Sequence, residues 1–155
     1  MKTLLINGSP RPRGCTYTAL TELKKTLEAE DIEVELLHVG HKDIHGCIAC
    51  RKCHETGKCV FDDVVNEVAP KLAQADAFVI GAPVYFASPA GGAISFMDRL
   101  FFSTLGIDKT MKVGAAVVTC RRGGNTATFD VLNKYFTMTG MPVASSQYWN
   151  MVYGG

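Results

Sequence analysis

The alternation of two hydrophobic periods along the chain narrows its fold more than any other feature. Residues 2–8 (KTLLING), 32–39 (IEVELLHV), 77–83 (AFVIGAP), 112–119 (KVGAAVVT) and 142–149 (PVASSQYW) read as strands, several of them nearly unbroken apolar runs. Strands of that kind are covered on both faces. Between them the spacing becomes helical: Leu20, Leu23 and Leu27 share one face of 16–29, and Val64, Val65, Val68 and Leu72 share one face of 63–74. Residues 92–104 and 126–139 supply two further helices. Strand–helix alternation predicts a parallel sheet with right-handed crossovers, hence an α/β, doubly wound, five-stranded parallel sheet. Residues 1–155 form a single domain, with no internal repeat and no linker. After the fifth strand only NMVYGG remains, so the last helix is missing and part of one sheet face would be bare. A natural chain continuing past Gly155 is the expectation, with cover by a partner subunit as the alternative.

Net charge is +1 and apolar residues make up 47% of the chain. A nucleic-acid or membrane-surface binder would carry a basic excess, so neither is expected as a partner. The start, MKTLLINGSP, has too few apolar residues before its turn to be a signal peptide, and no run is long enough to span a bilayer. A cytoplasmic location follows as an expectation. Thiols stay reduced there, so the six cysteines do not predict a disulfide framework. Cys15 and Cys120 read as small buried hydrophobes.

In an open α/β sheet, ligands bind beyond the carboxyl ends of the strands. Three loops at those ends are unusual. GSPRPRGCT (8–16) places glycines, stiffening prolines, the hydroxyls of Ser9 and Thr16, and the charges of Arg11 and Arg13 before a helix N-terminus. That combination suits a phosphate. It lacks the Gly-Lys-Ser/Thr of a P-loop and the G-x-G-x-x-G of a dinucleotide turn, and a capped turn with solvated arginines is the plainer alternative. GAPVYFASPAGG (81–92) sets Tyr85 and Phe86 between prolines, either as a ledge for a flat aromatic ligand or as packing beneath the loop. TCRRGGNT (119–126) has Gly123 and Gly124 for close approach, arginines to offset negative charge, and Asn125 or Thr126 to cap the next helix. In SFMDRLFF, the adjacent Asp98 and Arg99 read as a solvated pair, or as a subunit contact together with Phe96, Leu100, Phe101 and Phe102.

The stretch GCIACRKCHETGKC (46–59) crowds Cys47, Cys50, Cys53 and Cys59 together. Zinc knuckles are usually separated by a dozen or more residues, whereas evenly packed thiols suit the corners of a cuboid cluster. The ferredoxin run differs, with its fourth cysteine nearer and a proline after it. Spacing fixes reach and not occupancy, so a thiol-rich loop without a cluster stands as the alternative. A bound cluster would have its charge offset by Arg51, Lys52 and Lys58.

In order along the chain, GSPRPRGCT, PVYFASPAG and SFMDR resemble the NADPH-dependent FMN reductase family, whose members are flavodoxin-like. The cysteine run resembles that of its iron–sulfur flavoprotein subgroup. The resemblance implies FMN, with its phosphate at Ser9, Arg11, Cys15 and Thr16. The ribityl chain and isoalloxazine would lie at Pro83, Val84, Tyr85, Phe86 and Ser88, and the pyrimidine edge near Thr119, Arg121, Gly123 and Gly124. Cys15 departs from the family's Asn or Ser, which implies weaker phosphate binding. The implied function is an NAD(P)H oxidoreductase of the flavin or quinone reductase type, passing electrons from a nicotinamide through FMN to a small-molecule acceptor or redox protein. The alternative is a non-catalytic iron–sulfur flavoprotein that shuttles electrons between protein partners. The resemblance also implies a [4Fe–4S] cluster on Cys47, Cys50, Cys53 and Cys59, and a homodimer or homotetramer. A tyrosine phosphatase is excluded because no cysteine starts a Cys-x5-Arg loop. A receiver domain is excluded because Asn7-Gly8-Ser9 stands where acidic residues are needed.

Overall fold

Apolar residues alternate across the sheet strictly enough to divide the core in two. Leu4 and Ile6 of β1 (Lys2–Asn7), Phe78, Ile80 and Ala82 of β3 (Ala77–Tyr85), and Ala116 and Val118 of β5 (Val113–Cys120) point to one face. Leu5, Val79 and Val117 point to the other, as the two-residue period of a strand requires. In the computed structural model, which describes residues 1–154, five parallel strands run in the order β2-β1-β3-β5-β6, with β2 at Glu33–His38 and β6 at Met151–Tyr153. The switch in strand order falls at β1/β3, so the loops after these two strands splay apart and leave a crevice.

Four of the helices fall where the sequence places them, within a residue or so at each end. They are α1 (Cys15–Ala29), α3 (Val64–Gln74), α4 (Gly91–Ser103) and α5 (Asn125–Met138). Helices α3, α4 and α5 cover the larger core through Val65, Val68, Leu72, Phe96, Leu100, Leu132 and Phe136. The opposite face is covered by α1, through Leu20. On that face Val113 and Ala115 are only half-buried.

Two elements were not legible in the sequence. A short helix, α2 (Lys52–Thr56), carries the third cysteine, and β4 (Ser88–Pro89) folds back antiparallel on the end of β3. The expected fifth strand at 142–149 is displaced. Val143 makes one isolated bridge to Gly114, the chain then leaves the sheet, and it returns as β6 beside Val118–Cys120. Ser-Ser-Gln at 145–147 offers no apolar face to hold the edge in register, and an edge strand has a partner on one side only to correct a slip.

Candidate functional site

The three unusual loops converge at the carboxyl edge. Ser9, Arg11, Cys15, Thr16, Pro83, Val84, Tyr85, Thr119 and Arg121 line one open cleft of about 1020 Å³, together with Pro12, Arg13, Gly14, Thr18, Cys120 and Gly154. Its floor is rigid. The Ser9 backbone N–H donates to Asn7 Oδ1 (3.0 Å), and Ser9 Oγ accepts from the Arg11 N–H (3.1 Å). His38 Nε2 lies 2.7 Å from the Ser9 carbonyl. The hydroxyls of Thr16 and Thr119 hydrogen-bond to each other at 2.8 Å and brace α1 against β5. Both threonines are buried, so these two hydroxyls serve the scaffold first.

Helices α1, α4 and α5 all begin at this edge, and none has a side-chain cap, whereas Asp63 caps α3 by accepting from the Val65 N–H. First-turn N–H groups therefore remain for an anion. The cap expected from Asn125 or Thr126 is not made. Gly124 is the N-cap of α5 at φ +85°, while Asn125, inside the first turn, accepts from the Thr126 N–H through Oδ1 (3.1 Å) and donates from Nδ2 to the Tyr153 hydroxyl (2.8 Å). A side chain at Gly124 would meet the Ala87 Cα at 2.8 Å, so this glycine lets the third loop lie against the second.

Phe86, Ser88, Gly123 and Gly124, expected at the same site, do not line the cleft. Phe86 and Ala87 form the two-residue turn of the β3–β4 hairpin, both at positive φ (50° and 56°), and the Phe86 ring is fully exposed. Cys15 is not the buried hydrophobe expected. It is half-exposed in the cleft, with Gly154 so close that a Cβ there would strike its sulfur. Cys120 is buried as expected, and burial pushes its thiol pKa up.

The second feature lies on the α3/α4 side. Cys47, Cys50, Cys53 and Cys59 all border one small cavity of about 20 Å³, with Ile48, Phe61, Arg99 and Phe102. Ala49 and Arg51 hold positive φ (54° and 60°) between the first three cysteines, a strained backbone of the kind that surrounding structure must enforce. Asn66 of α3 clamps the fourth: Cys59 N–H donates to Asn66 Oδ1 (2.9 Å), and Asn66 Nδ2 donates to the carbonyls of Cys59 (3.0 Å) and Phe61 (3.1 Å). Burial pushes the Cys53 thiol above its ordinary value, and the three neighbouring thiols add to the effect.

The adjacent Asp98 and Arg99 part company in the fold: Asp98 is exposed, as the solvated reading expects, and Arg99 is not. Arg99 is 1% exposed, buried within its own chain and so not part of a solvated surface pair. It pairs with Asp63 (2.5 and 2.9 Å) and donates from Nε to Cys59 Sγ (3.2 Å). Asp98 accepts from the Tyr135 hydroxyl of α5. Phe96, Leu100 and Phe101 are core residues, and only Phe102 is partly exposed.

Over residues 1–154 the sequence matches the family model described as NADPH-dependent FMN reductase. The chain belongs to this family. An iron–sulfur flavoprotein of Methanocaldococcus jannaschii is 34% identical over 157 residues, covering 100% of this chain and 81% of the relative. One from Methanosarcina thermophila is 26% identical, again over 100% and 81%. Among solved structures, an apo NADH:FMN oxidoreductase superposes with a TM-score of 0.71 at 21% identity, over 97% of this chain and 75% of that one. An archaeal flavodoxin gives 0.67 at 14% identity, over 100% and 86%. These two likenesses show the flavodoxin-like fold.

The residues fit the family's flavin. The cleft is open, its phosphate end offers uncapped N–H groups and Arg11, and its wall offers Tyr85. The cysteine pocket fits a cluster in its donors. Among the described residues no group of three His, Cys, Asp or Glu converges tightly enough for a single metal ion. A cuboid cluster makes no such demand, because each thiolate takes a different iron and the four sulfurs surround the core. The cavity has room for about one water as the thiols stand, and two of its four cysteines, Cys47 and Cys50, are exposed. No helix among the described residues is long and apolar enough to cross a membrane.

Proposed function

We propose that the chain is an FMN-dependent oxidoreductase of the iron–sulfur flavoprotein type, with FMN in the edge cleft and a [4Fe–4S] cluster in the cysteine pocket. One observation carries this reading: three loops distant in sequence line a single cleft at the strand-order switch, and the same chain gathers four thiols around one cavity. When bound, FMN supplies hydride and single-electron exchange, and a cluster supplies single-electron exchange. The α1 N–H groups, Ser9, Arg11, Cys15 and Thr16 would hold the flavin phosphate. Pro83, Val84, Tyr85, Phe86 and Ser88 would hold the ribityl chain and ring. Thr119, Arg121, Gly123 and Gly124 would face the pyrimidine edge, where positive charge favours added electrons. No side-chain nucleophile is needed.

Helix α4 links the two sites. It starts where the β4 turn ends and reaches Arg99 eight residues after Gly91, about 12 Å along the helix at 1.5 Å per residue. We take the electron donor to be NADH or NADPH, the acceptor to be a small molecule or redox protein, and the assembly to be a homodimer or homotetramer in the cytoplasm. The second reading, an electron carrier that does not use nicotinamide, is favoured by the cysteine pocket and by the names of the relatives. Anaerobic oxidation of NADH and NADPH by the purified holoprotein, with a quinone as acceptor, separates the two. Rapid turnover supports the reductase, and negligible turnover with both nucleotides supports the carrier.

A further inference from the structure

The cysteine loop is not held by its own residues alone. Arg99 reaches it from the middle of α4 and uses its guanidinium fork on two stretches of chain, at His45 and at 59–63. Nε donates to Cys59 Sγ (3.2 Å), Nη1 to the His45 carbonyl (3.3 Å) and Asp63 Oδ2 (2.5 Å), and Nη2 to the Phe61 carbonyl (3.2 Å) and Asp63 Oδ1 (2.9 Å). The Phe61 ring lies against the guanidinium, 5.0 Å from Cζ to the ring centroid. Every donor atom of the fork is therefore engaged.

A buried arginine that only balanced Asp63 would need no contact with sulfur. Here the bidentate pair occupies the Nη side and turns Nε toward the thiol. The Asp63 side chain is in turn fixed by capping α3. The geometry is thus set from two helices before any ligand is considered. Hydrogen bonds to ligand sulfurs and nearby positive charge both stabilise the more negative, reduced form of an iron–sulfur centre, and burial strengthens both effects.

We propose that Arg99 is a positioning residue of the cysteine pocket, holding the Cys59 sulfur through Nε–H and raising the reduction potential of the cluster bound there. The proposal rests on the cluster reading above. Lysine keeps the charge but carries its donors on one flexible atom, so it cannot hold Asp63 bidentately and present a separate N–H to sulfur.

The test uses holoprotein reconstituted anaerobically with FMN, iron and sulfide, as wild type, R99K and R99Q/D63N. The double variant leaves no unpaired buried charge, and its asparagine still caps α3, so it guards against a single variant that fails to fold. Iron per chain and the cluster midpoint potential, from an EPR-monitored redox titration at fixed pH, are the readouts. The wild type is expected to bind about four iron atoms, and both variants to retain iron with the potential shifted to more negative values. Variant clusters with full iron at the wild-type potential overturn the proposal and leave the cluster reading intact. Folded variants that bind no iron also overturn it, because Arg99 would then serve the loop's architecture alone. A wild type that binds no iron overturns both.

Discussion

At the scale of single residues, the flavin loop and the cysteine pocket differ in how far the sequence discloses them. Ser9 and Arg11 are legible because a phosphate loop is local: its glycines, prolines, hydroxyl and charge lie within nine residues. The Arg11 side chain is exposed, and the turn beneath it is set by Ser9 Oγ and Asn7 Oδ1. Arg11→Ala should therefore leave the loop folded and weaken FMN binding by about 1–3 kcal/mol, read from flavin fluorescence titration; an unchanged Kd removes Arg11 from the site. Arg99 was not legible. Its partners Asp63 and Cys59 lie 36 and 40 residues earlier, and adjacency to Asp98 suggested a surface pair that the fold separates. An Asp-Arg pair flanked by large apolar residues, in SFMDRLFF, was the available signal. Asn66 gave none beyond its type.

Among elements, the long helices are legible because each buries an apolar stripe, and their periodicity survives every detail of packing. Five-residue α2 has no period to show, and β6 is fixed by a few edge hydrogen bonds. The β3–β4 hairpin carries a turn whose residues work against it. Positive φ at both Phe86 and Ala87 is the geometry that Asn-Gly adopts readily. Ala87→Gly should stabilise the protein by roughly 0.5–1 kcal/mol in urea unfolding, since left-handed strain outweighs the added freedom of the unfolded chain. The α4–α5 contact offers a second check. Burial, then the hydrogen bond to Asp98, raises the Tyr135 pKa well above its ordinary value. A raised pKa means that the unfolded chain loses this proton first, so Tyr135 contributes fully below about pH 10 and its contribution fades above that. Tyr135→Phe should lose about 1 kcal/mol at neutral pH. The gap from wild type should narrow above about pH 10 in pH-dependent unfolding; a gap independent of pH would contradict this account.

For the molecule as a whole, one sheet edge supplies both the crevice and the uncapped helix ends, and the cysteine loop spans from the end of β2 to α3 on the better-covered face. Strand order and loop convergence are consequences of doubly wound topology that an alternating sequence pattern already implies, and the four thiols are close because they share one short loop. Occupancy is not implied, because a ligand's presence depends on energies that spacing does not encode. The central claim, two redox centres on one chain, is tested most directly by FMN, iron and acid-labile sulfide per chain after anaerobic reconstitution, in wild type and Cys50→Ser. The account predicts about one FMN with about four iron and four sulfide in the wild type, and FMN retained with iron lost in the variant. Full FMN with less than about one iron per chain in the wild type would contradict it.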